Sequence, residues 1–298
     1  MGVTCIVEYW DALHRVFYRI FWKRNDDFLD LCRCFGLCGW WRMYYSGFID
    51  LGNCYRLLLP AAQDSYLICI LLGRLIWRLF MRLRNIPGAK DAILECDWVI
   101  DEPERFKGKW ESVFGEKRPL FLEVGMGKGR FLMDMARLHP ERNYVGIEMY
   151  DSVLLRALQK REELEEAGEE FSNLVFIRVD ARLLPEIFEK DEVDGIYLNF
   201  SDPWPKARHA KRRLTSREFL KRYEQVLKKE GTVEFKTDNR GLFEFSLEEV
   251  KESDWNLEVC TFDLHHDEEL VKGNVMTEYE EKFTSMGNPI CKMVIRQK

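Results

Sequence analysis

Long hydrophobic runs are missing from this sequence of 298 residues. The longest uncharged run of its apolar N-terminal part, residues 65–73, has nine residues, whereas a helix that spans a bilayer needs ~20 apolar ones. A secretory signal is missing as well, because Glu8 and Asp11 stand where a basic segment should be and no apolar segment follows at once. These absences predict a cytoplasmic protein with no stable membrane association.

Cysteine is scarce after position 80, where only three of the nine occur, Cys96, Cys260 and Cys291. They lie far apart without the spacing of metal ligands, so we expect free thiols in a reducing compartment and neither a disulfide framework nor a metal site. An excess of positive charge is also lacking, since 45 Lys and Arg face 51 Asp and Glu, for a formal net charge of −6. A polyanionic partner would therefore have to bind a local patch.

Lysine is almost absent from residues 1–80, which hold one of the nineteen lysines but six of the nine cysteines and five of the nine tryptophans. Their net charge is +2, whereas residues 81–298 carry 36 basic and 44 acidic side chains, a net charge of −8. The break predicts an atypical extension, residues 1–80, and a separate domain, residues 81–298. Two origins of the extension stay open: a misplaced start codon, which we favour, and an added segment.

From Met81 onward, short apolar runs alternate with charged amphipathic segments. The runs are rich in Val, Ile, Phe and Tyr and predict buried strands at 119–125, 143–148, 173–180, 193–200 and 232–238. Helical spacing predicts helices at Arg130–Leu138, Asp151–Ala167 and Ser216–Lys229. Two more runs, 255–265 and 289–298, follow without a clear helix between them and predict an antiparallel hairpin at the edge. The order predicts an α/β fold with a mostly parallel, Rossmann-like sheet of seven strands.

Glycines follow the first predicted strand in the segment EVGMGKG, residues 123–129. Gly125 and Gly127 would let the backbone turn tightly and approach a ligand, with N–H groups of the next helix facing it. The segment differs from a dinucleotide-binding loop because Arg130 replaces the third glycine, and from a P-loop because it lacks the four-residue gap and the Ser or Thr. An NAD-dependent dehydrogenase is disfavoured on this ground, and a purely structural turn stays open.

Acidic residues end or directly follow four of the predicted strands: Glu123, Glu148, Asp180 and Asp202. Because the carboxyl ends of parallel strands share the edge where α/β proteins bind ligands, we expect these side chains to lie together. Helix capping or solvation explains any single one of them, but four in series favour a binding site. A cluster of acids with no phosphate-binding lysine suits a cationic nucleoside, of which S-adenosylmethionine is one.

Four motifs carry a family resemblance. EVGMGKGRF (123–131), YLNFSDPWPKARHAKRRLT (197–215), FKTDNRGLFEFS (235–246) and GNVMTEYEEKF (273–283) occur in this order. Together they closely resemble the bacterial tRNA (guanine-N7-)-methyltransferases, which methylate guanosine 46 in the variable loop. The match runs from Met81 to the C-terminus, and its most specific part is SDPWPK followed by R-H-x-K-R-R. Met126 is a small departure, since the family more often has Thr, Ser or Cys there.

The resemblance implies a class I methyltransferase fold for residues 81–298, S-adenosylmethionine as the cofactor and tRNA as the partner of a monomer or homodimer. It places cofactor binding on Glu123, Gly125, Gly127, Glu148, Asp180 and Asp202, and catalysis on Asp202. It places substrate binding on Lys206, Asp238, Thr277, Glu278, Tyr279 and Glu280, and RNA binding on Arg208, His209, Ala210, Lys211, Arg212 and Arg213. An inactive tRNA-binding or S-adenosylmethionine-sensing relative is the alternative.

The residues themselves suit this chemistry. Guanine N7 carries an unprotonated lone pair at neutral pH, so its methylation needs positioning rather than a base. Asp202 can accept the N1–H and N2–H of guanine and offset the positive charge that methylation creates. The segment 206–213 holds five cations and one histidine, which predicts phosphate binding, although a solvated face is the alternative. Trp204 is either a stacking partner for a base or a loop anchor, and His265 carries no signal.

Overall fold

The computed structural model describes Ile86 and residues 88–298, so the predictions for residues 1–80 lie outside it. The described residues form seven strands, β1 (Leu120–Val124), β2 (Asn143–Glu148), β3 (Leu174–Arg178), β4 (Val193–Asn199), β5 (Leu227–Thr237), β6 (Trp255–Thr261) and β7 (Cys291–Gln297). Their α-helices are α1 (Ala89–Leu94), α2 (Glu111–Phe114), α3 (Arg130–Leu138), α4 (Asp151–Glu166), α5 (Leu184–Ile187), α6 (Arg217–Tyr223), α7 (Arg240–Lys251) and α8 (Glu278–Ser285). Short 3-10 turns lie at Pro103–Phe106, Ala181–Leu183, Ala207–Arg212 and Leu264–His266.

The strands form one sheet in the order β3-β2-β1-β4-β5-β7-β6. The first five are parallel, and Leu122 of β1 lies opposite Val145 of β2 and Ile196 of β4. From β1, the chain adds β2 and β3 on one side of the sheet and then β4 and β5 on the other. The carboxyl ends of β1 and β4 therefore border the crevice in which α/β proteins bind ligands. The predicted Rossmann-like, mostly parallel sheet of seven strands is confirmed.

The last two strands form the antiparallel edge that the sequence predicts. β7 runs antiparallel to both β5 and β6. The connection from β6 to β7 contains a helix, α8, that the sequence did not predict. Thr277 begins this helix, since its Oγ1 accepts a hydrogen bond of 3.0 Å from the N–H of Glu280. A Thr followed three residues later by a Glu is a helix-capping signal, and this signal could have predicted α8.

A second difference concerns the predicted helix Ser216–Lys229. The helix α6 ends at Tyr223, and the chain enters β5 at Leu227, opposite the start of β4. Lys228 donates a hydrogen bond of 2.7 Å to Asp194 of that neighbouring strand. Charged residues at helical spacing favoured a helix here, but pairing with β4 and the burial of Leu227 favour a strand more strongly.

Both faces of the central strands are buried. Leu122, Val145 and Ile196 belong to a core on one face, which also contains Phe243 of α7. Alternate residues of the same strands, such as Tyr144, pack against α3 and α4 on the other face. Neither face of these strands contacts solvent, which explains why their sequences are continuous apolar runs rather than alternating apolar and polar residues. Among the described residues, no helix is long and apolar enough to cross a membrane.

Candidate active site

Glycines shape the turn between β1 and α3. Gly125, Gly127 and Gly129 have φ values of 75°, 59° and 72°, which glycine alone adopts readily. The N–H groups of Gly125 and Met126 donate to the carbonyl of Ile147 at 2.9 and 3.1 Å, which ties the turn to β2. A Cβ at Gly127 would meet no heavy atom of the described residues within 4 Å, so this position borders open space in that part of the chain. The turn therefore leaves room for a ligand at the sheet edge, while its Gly125 and Met126 N–H groups are already bound to β2.

Glu123, near the end of β1 and just before the glycines, is buried, with 2% of its surface exposed. Its Oε1 accepts a hydrogen bond of 2.8 Å from Asn199 Nδ2, while its buried Oε2 has no partner among the described residues. Burial raises the pKa of Glu123 to about 8, against the opposing effects of the Asn199 hydrogen bond and the Lys236 charge. A ligand that offered a cation or a hydrogen-bond donor to Oε2 would relieve this desolvation.

Glu148, at the end of β2, orders the backbone around it. Its Oε1 accepts hydrogen bonds from the N–H groups of Met149 and Tyr150 at 2.9 and 3.0 Å, and its Oε2 accepts one from Gly127 at 3.3 Å. Burial raises the pKa of Glu148, the backbone bonds oppose this, and the charge of Asp202 adds to it. Because a carboxylate accepts about four hydrogen bonds, Glu148 retains one position for a ligand.

Asp180 and Asp202 follow β3 and β4 and have different surroundings. The side chain of Arg182 donates to the Asp180 carboxylate, with Nη2 at 2.7 Å, and this hydrogen bond holds the pKa of Asp180 below its ordinary value. Asp202 is exposed and accepts no hydrogen bond from the described residues. Its charge acts on Glu148, which places both at the same edge. All four predicted acids lie at the carboxyl ends of strands, and Asp202 is the one of the four left free.

The loop after β4 has a strained backbone. Phe200 and Trp204 have φ values of 50° and 41°, in the left-handed region that bulky residues rarely adopt. Phe200 donates its N–H to the carbonyl of Lys236 at 2.9 Å, and the guanidinium of Arg213 donates to the carbonyls of Pro203 and Trp204 at 3.0 and 3.2 Å. Strain of this kind persists only where the surroundings fix it, and it concentrates at functional sites.

The basic segment, residues 206–213, contains a cation that pairs with an acidic side chain and others that do not. Lys206 and Arg208 are exposed and have no acidic partner among the described residues. Lys211 pairs with Glu218 at 2.8 Å. The free cations are available to phosphate, whereas part of the segment is already bound within the protein.

Trp204 packs against the same segment. The guanidinium of Arg212 lies 5.0 Å from the centre of the Trp204 ring, and His209 meets that ring edge-on at 5.6 Å. Arg213 lies 4.2 Å from the ring centre of Phe245, in addition to its bonds to the loop. These contacts support the loop-anchor interpretation of Trp204, and they give Arg213 a structural task in holding the loop.

Two of the predicted substrate-binding residues lie inside the protein. Thr277 caps α8, and the side chain of Glu280 is fully buried. Glu280 Oε2 lies 2.8 Å from Lys236 Nζ, while its Oε1 accepts a hydrogen bond of 2.7 Å from Asn274 and lies 3.1 Å from His265 Nε2. Sequence reasoning missed Lys236, Asn274 and His265, although a lysine within the apolar run of β5 is a signal that could have found the first.

Glu278 and Tyr279 of α8 are accessible. Burial alone would raise the pKa of Glu278, but ion pairs with Lys160 and, at 3.3 Å, with Lys128 hold it below its ordinary value. Tyr279 is 59% exposed, and its ring centre lies 6.3 Å from that of Phe200 in a stacked arrangement. The exposed ring therefore borders the loop that carries Asp202.

Two further contacts complete the site. Arg130, the first residue of α3, donates to both carboxylate oxygens of Glu281 at 2.6 and 2.8 Å, which fastens α8 to the glycine turn. Asp238, directly after β5, is half-buried and accepts no hydrogen bond from the described residues. Asp238 thus joins Asp202 as a predicted acid that is free to contact a ligand.

A family model described as "Putative methyltransferase" matches residues 117–293, a span that includes the whole site. The chain is therefore a methyltransferase with a Rossmann-like sheet. Over 214 residues it is 60% identical to the tRNA (guanine-N(7)-)-methyltransferase of Lachnoclostridium phytofermentans, covering 72% of this chain and 97% of the relative. The enzyme of that name from Bacillus subtilis is 48% identical over 211 residues, covering 70% and 96%. The chain belongs to the tRNA (guanine-N(7)-)-methyltransferase family, which confirms the predicted family.

Solved methyltransferase structures resemble the chain more distantly. An antibiotic-related methyltransferase is 20% identical with a TM-score of 0.48, covering 66% of this chain and 94% of that one. The 16S rRNA methyltransferase KamB is 14% identical with a TM-score of 0.49, covering 64% and 94%. No residue role is transferred from either of them.

Proposed function

We propose that this protein transfers the methyl group of S-adenosylmethionine to N7 of guanosine 46 in the variable loop of tRNA, giving 7-methylguanosine. The observation that carries the proposal is the 60% identity to a tRNA (guanine-N(7)-)-methyltransferase along 97% of that relative's length. The relative's name gives the atom and the RNA, while the donor and the nucleotide position follow from the motif resemblance. The cytoplasm is the compartment that we propose for this activity.

The residues at the sheet edge suit S-adenosylmethionine, a sulfonium ion that also carries an ammonium group. Glu123 Oε2 is buried and has no hydrogen-bond partner within the described ranges, and a cationic ligand group would satisfy it. Open space at Gly127 leaves room for a ligand against the turn, and Glu148 retains an acceptor position where related folds bind ribose hydroxyls. Together with Gly125 and Asp180, these residues would hold the donor. When bound, it supplies a methyl group activated for attack by a neutral nucleophile.

Asp202 is suited to hold the guanine. Its exposed carboxylate is free to accept N1–H and N2–H, and its negative charge offsets the positive charge that develops on the methylated base. The loop that carries it is fixed by the N–H of Phe200 and the guanidinium of Arg213. A fixed acceptor can hold N7 in line with the methyl group, and such positioning supplies the catalysis because no proton has to be removed from N7.

The tRNA backbone would meet the basic segment beside this loop. Lys206 and Arg208 are exposed and have no acidic partner in the described part of the chain, and phosphate contacts dominate the affinity of proteins for nucleic acids. The side chains of Asp238 and Tyr279 are accessible for substrate contacts, whereas Glu280 is inside the protein. We therefore assign Glu280 to holding α8 rather than to touching the substrate.

Methyl transfer from isotopically labelled S-adenosylmethionine to an unmethylated tRNA transcript tests the proposal. After digestion to nucleosides, the label is expected in 7-methylguanosine. Label in another nucleoside would contradict the assigned atom. Binding of tRNA and of the donor without any transfer would instead indicate the inactive relative.

A further inference from the structure

A lysine is completely buried at the carboxyl end of β5. The side chains of Lys236 and Glu280 are both 0% exposed, and their Nζ and Oε2 atoms lie 2.8 Å apart. Lys236 Nζ also donates to the carbonyl of Val275 at 2.9 Å and to Asn274 Oδ1 at 3.2 Å, and lies 5.1 Å from the ring centre of Phe131. A buried ion pair is rarely more stabilising than a well-packed apolar pair, so this lysine points to a role other than stability.

The charge of Lys236 reaches the proposed donor site. Lys236 of β5 lies opposite Asn199 of β4, and Asn199 Nδ2 donates a hydrogen bond of 2.8 Å to Glu123 Oε1 of β1, so the three residues lie side by side at one edge of the sheet. On Glu123 of β1, the Lys236 charge opposes the rise in pKa that burial causes. Asn199 of β4 acts in the same direction, while Glu148 of β2 acts in the opposite one. Lys236 is thus the cation that favours ionisation of a carboxylate with an unpartnered oxygen.

Other groups around Lys236 complete the electrostatic environment. Glu280 of α8 neutralises its ammonium, and His265, in the 3-10 turn after β6, faces Glu280 at 3.1 Å. The Lys236 backbone also accepts the N–H of Phe200, two residues before Asp202. The same residue therefore contacts α8 through its side chain and the loop of Asp202 through its carbonyl.

We propose that Lys236 is a positioning residue of the donor site, whose buried ammonium, held by Glu280, favours the ionised form of Glu123 and thereby the binding of a cationic ligand. The inference rests on the proposed function only in identifying that ligand as the methyl donor. Lys236 acts through Glu123 and touches neither donor nor guanine.

The ion pair offers two variants with opposite expected effects. Lys236→Met removes the cation and leaves the charge of Glu280, so the pKa of Glu123 rises; Glu280→Gln leaves the cation without its counter-ion, so that pKa falls. Each unit of change alters the ionised fraction below the pKa about tenfold. S-adenosylhomocysteine lacks the sulfonium charge of the donor but keeps its ammonium group, so this probe reports the pairing of Glu123 with that group. Its affinity near pH 7 should fall about tenfold in Lys236→Met and rise severalfold in Glu280→Gln. A purely structural pair would weaken binding in both variants.

Lys236→Met leaves Glu280 as an uncompensated buried charge, which can prevent folding. The double variant Lys236→Met with Glu280→Gln removes both charges and should fold. It should still bind S-adenosylhomocysteine more weakly than the wild type, because the cation near Glu123 is gone. Recovery of wild-type affinity in the folded double variant would overturn the proposal.

Titration of the full chain between about pH 6 and 9 provides the test. Calorimetry measures S-adenosylhomocysteine binding, and carbon NMR of labelled glutamate carboxyls follows Glu123 without any ligand. In both titrations, the pH of the midpoint should rise in Lys236→Met and in the double variant, and it should fall in Glu280→Gln. Glu123→Gln should abolish the pH dependence, which excludes His265 as its source. Unmoved midpoints would overturn the inference even if the wild type makes 7-methylguanosine, whereas shifted midpoints without methylation would contradict the proposed function alone.

Discussion

Asp202 has a carboxylate without a hydrogen-bond partner among the described residues, whereas the other three acids predicted for the donor site are engaged. Glu123 is buried against Asn199, Glu148 holds three backbone N–H groups, and Asp180 pairs with Arg182. An acid that recognises a base has to offer two acceptor positions at once, and Asp202 alone among these four is free to do so. The buried acids suit a cationic ligand, and the free one suits the guanine.

Replacing Asp202 tests whether this residue holds the guanine while the other acids bind the methyl donor. Asp202→Asn removes the charge and turns one acceptor oxygen into a donor that faces the N–H groups of guanine. We expect turnover to fall about 100- to 1000-fold, the effect of losing one charge-stabilising group in a preorganised site, and tRNA affinity to change little because phosphate contacts dominate it. Single-turnover methyl transfer and a tRNA binding assay measure the two effects.

The matched control is Asp101→Asn, because Asp101 is exposed and accepts no hydrogen bond from the described residues. It should leave both measurements unchanged. Near-normal turnover in Asp202→Asn would refute the role of Asp202 in holding the base.

At the level of structural elements, a glycine substitution in the turn between β1 and α3 can distinguish backbone strain from the loss of ligand contact. Gly127 and Gly115 have φ values of 59° and 73°, and a Cβ at either would meet no heavy atom within 4 Å. Gly127→Ala and Gly115→Ala should therefore lose similar stability, roughly 1 kcal/mol each from left-handed strain. Only Gly127→Ala should weaken S-adenosylhomocysteine binding, since its methyl group occupies the space beside the donor turn. Equal affinities of the two variants would contradict the assigned role of the turn.

The elements also show what the sequence can and cannot predict. Strands β1 to β4 are buried on both faces, so continuous apolar runs predicted them. The four acids could be predicted because each lies at or just after the end of such a run. The start of β5 was wrongly predicted as helix because charged residues at helical spacing favoured a helix there. The helix α8 was missed because its short acidic segment carries little periodic signal. Lys236 and Glu280 are 44 residues apart in the sequence and lie on different elements, so no local sequence pattern could predict their contact.

The charge of the whole domain makes the tRNA contact local. Residues 81–298 carry a net charge of −8, from 36 basic and 44 acidic side chains, so attraction to tRNA has to come from a patch. Lys206 and Arg208 are exposed members of this patch, and neither has an acidic partner among residues that the structure describes. Replacing either by Gln should weaken tRNA binding and lower the slope of log affinity against log salt by about 1 for each phosphate that the variant no longer neutralises.

Lys229→Gln is the matched control for the patch. Lys229 is an exposed cation near the start of β5, at the other end of the strand from the site, so its replacement should leave the salt slope unchanged. An equal effect of Lys229→Gln and Lys206→Gln, measured by tRNA binding at several salt concentrations, would show that net charge rather than the patch attracts the tRNA.

Mapping the methylated nucleotide on tRNA is the decisive measurement for the proposed activity. Reduction followed by aniline treatment cleaves an RNA chain at 7-methylguanosine, so the cleavage site identifies the modified nucleotide. With a tRNA transcript that carries guanosine at position 46, we expect cleavage at that nucleotide alone, and none when position 46 is adenosine. Cleavage at another guanosine, or transfer that persists without guanosine 46, would contradict the proposed activity.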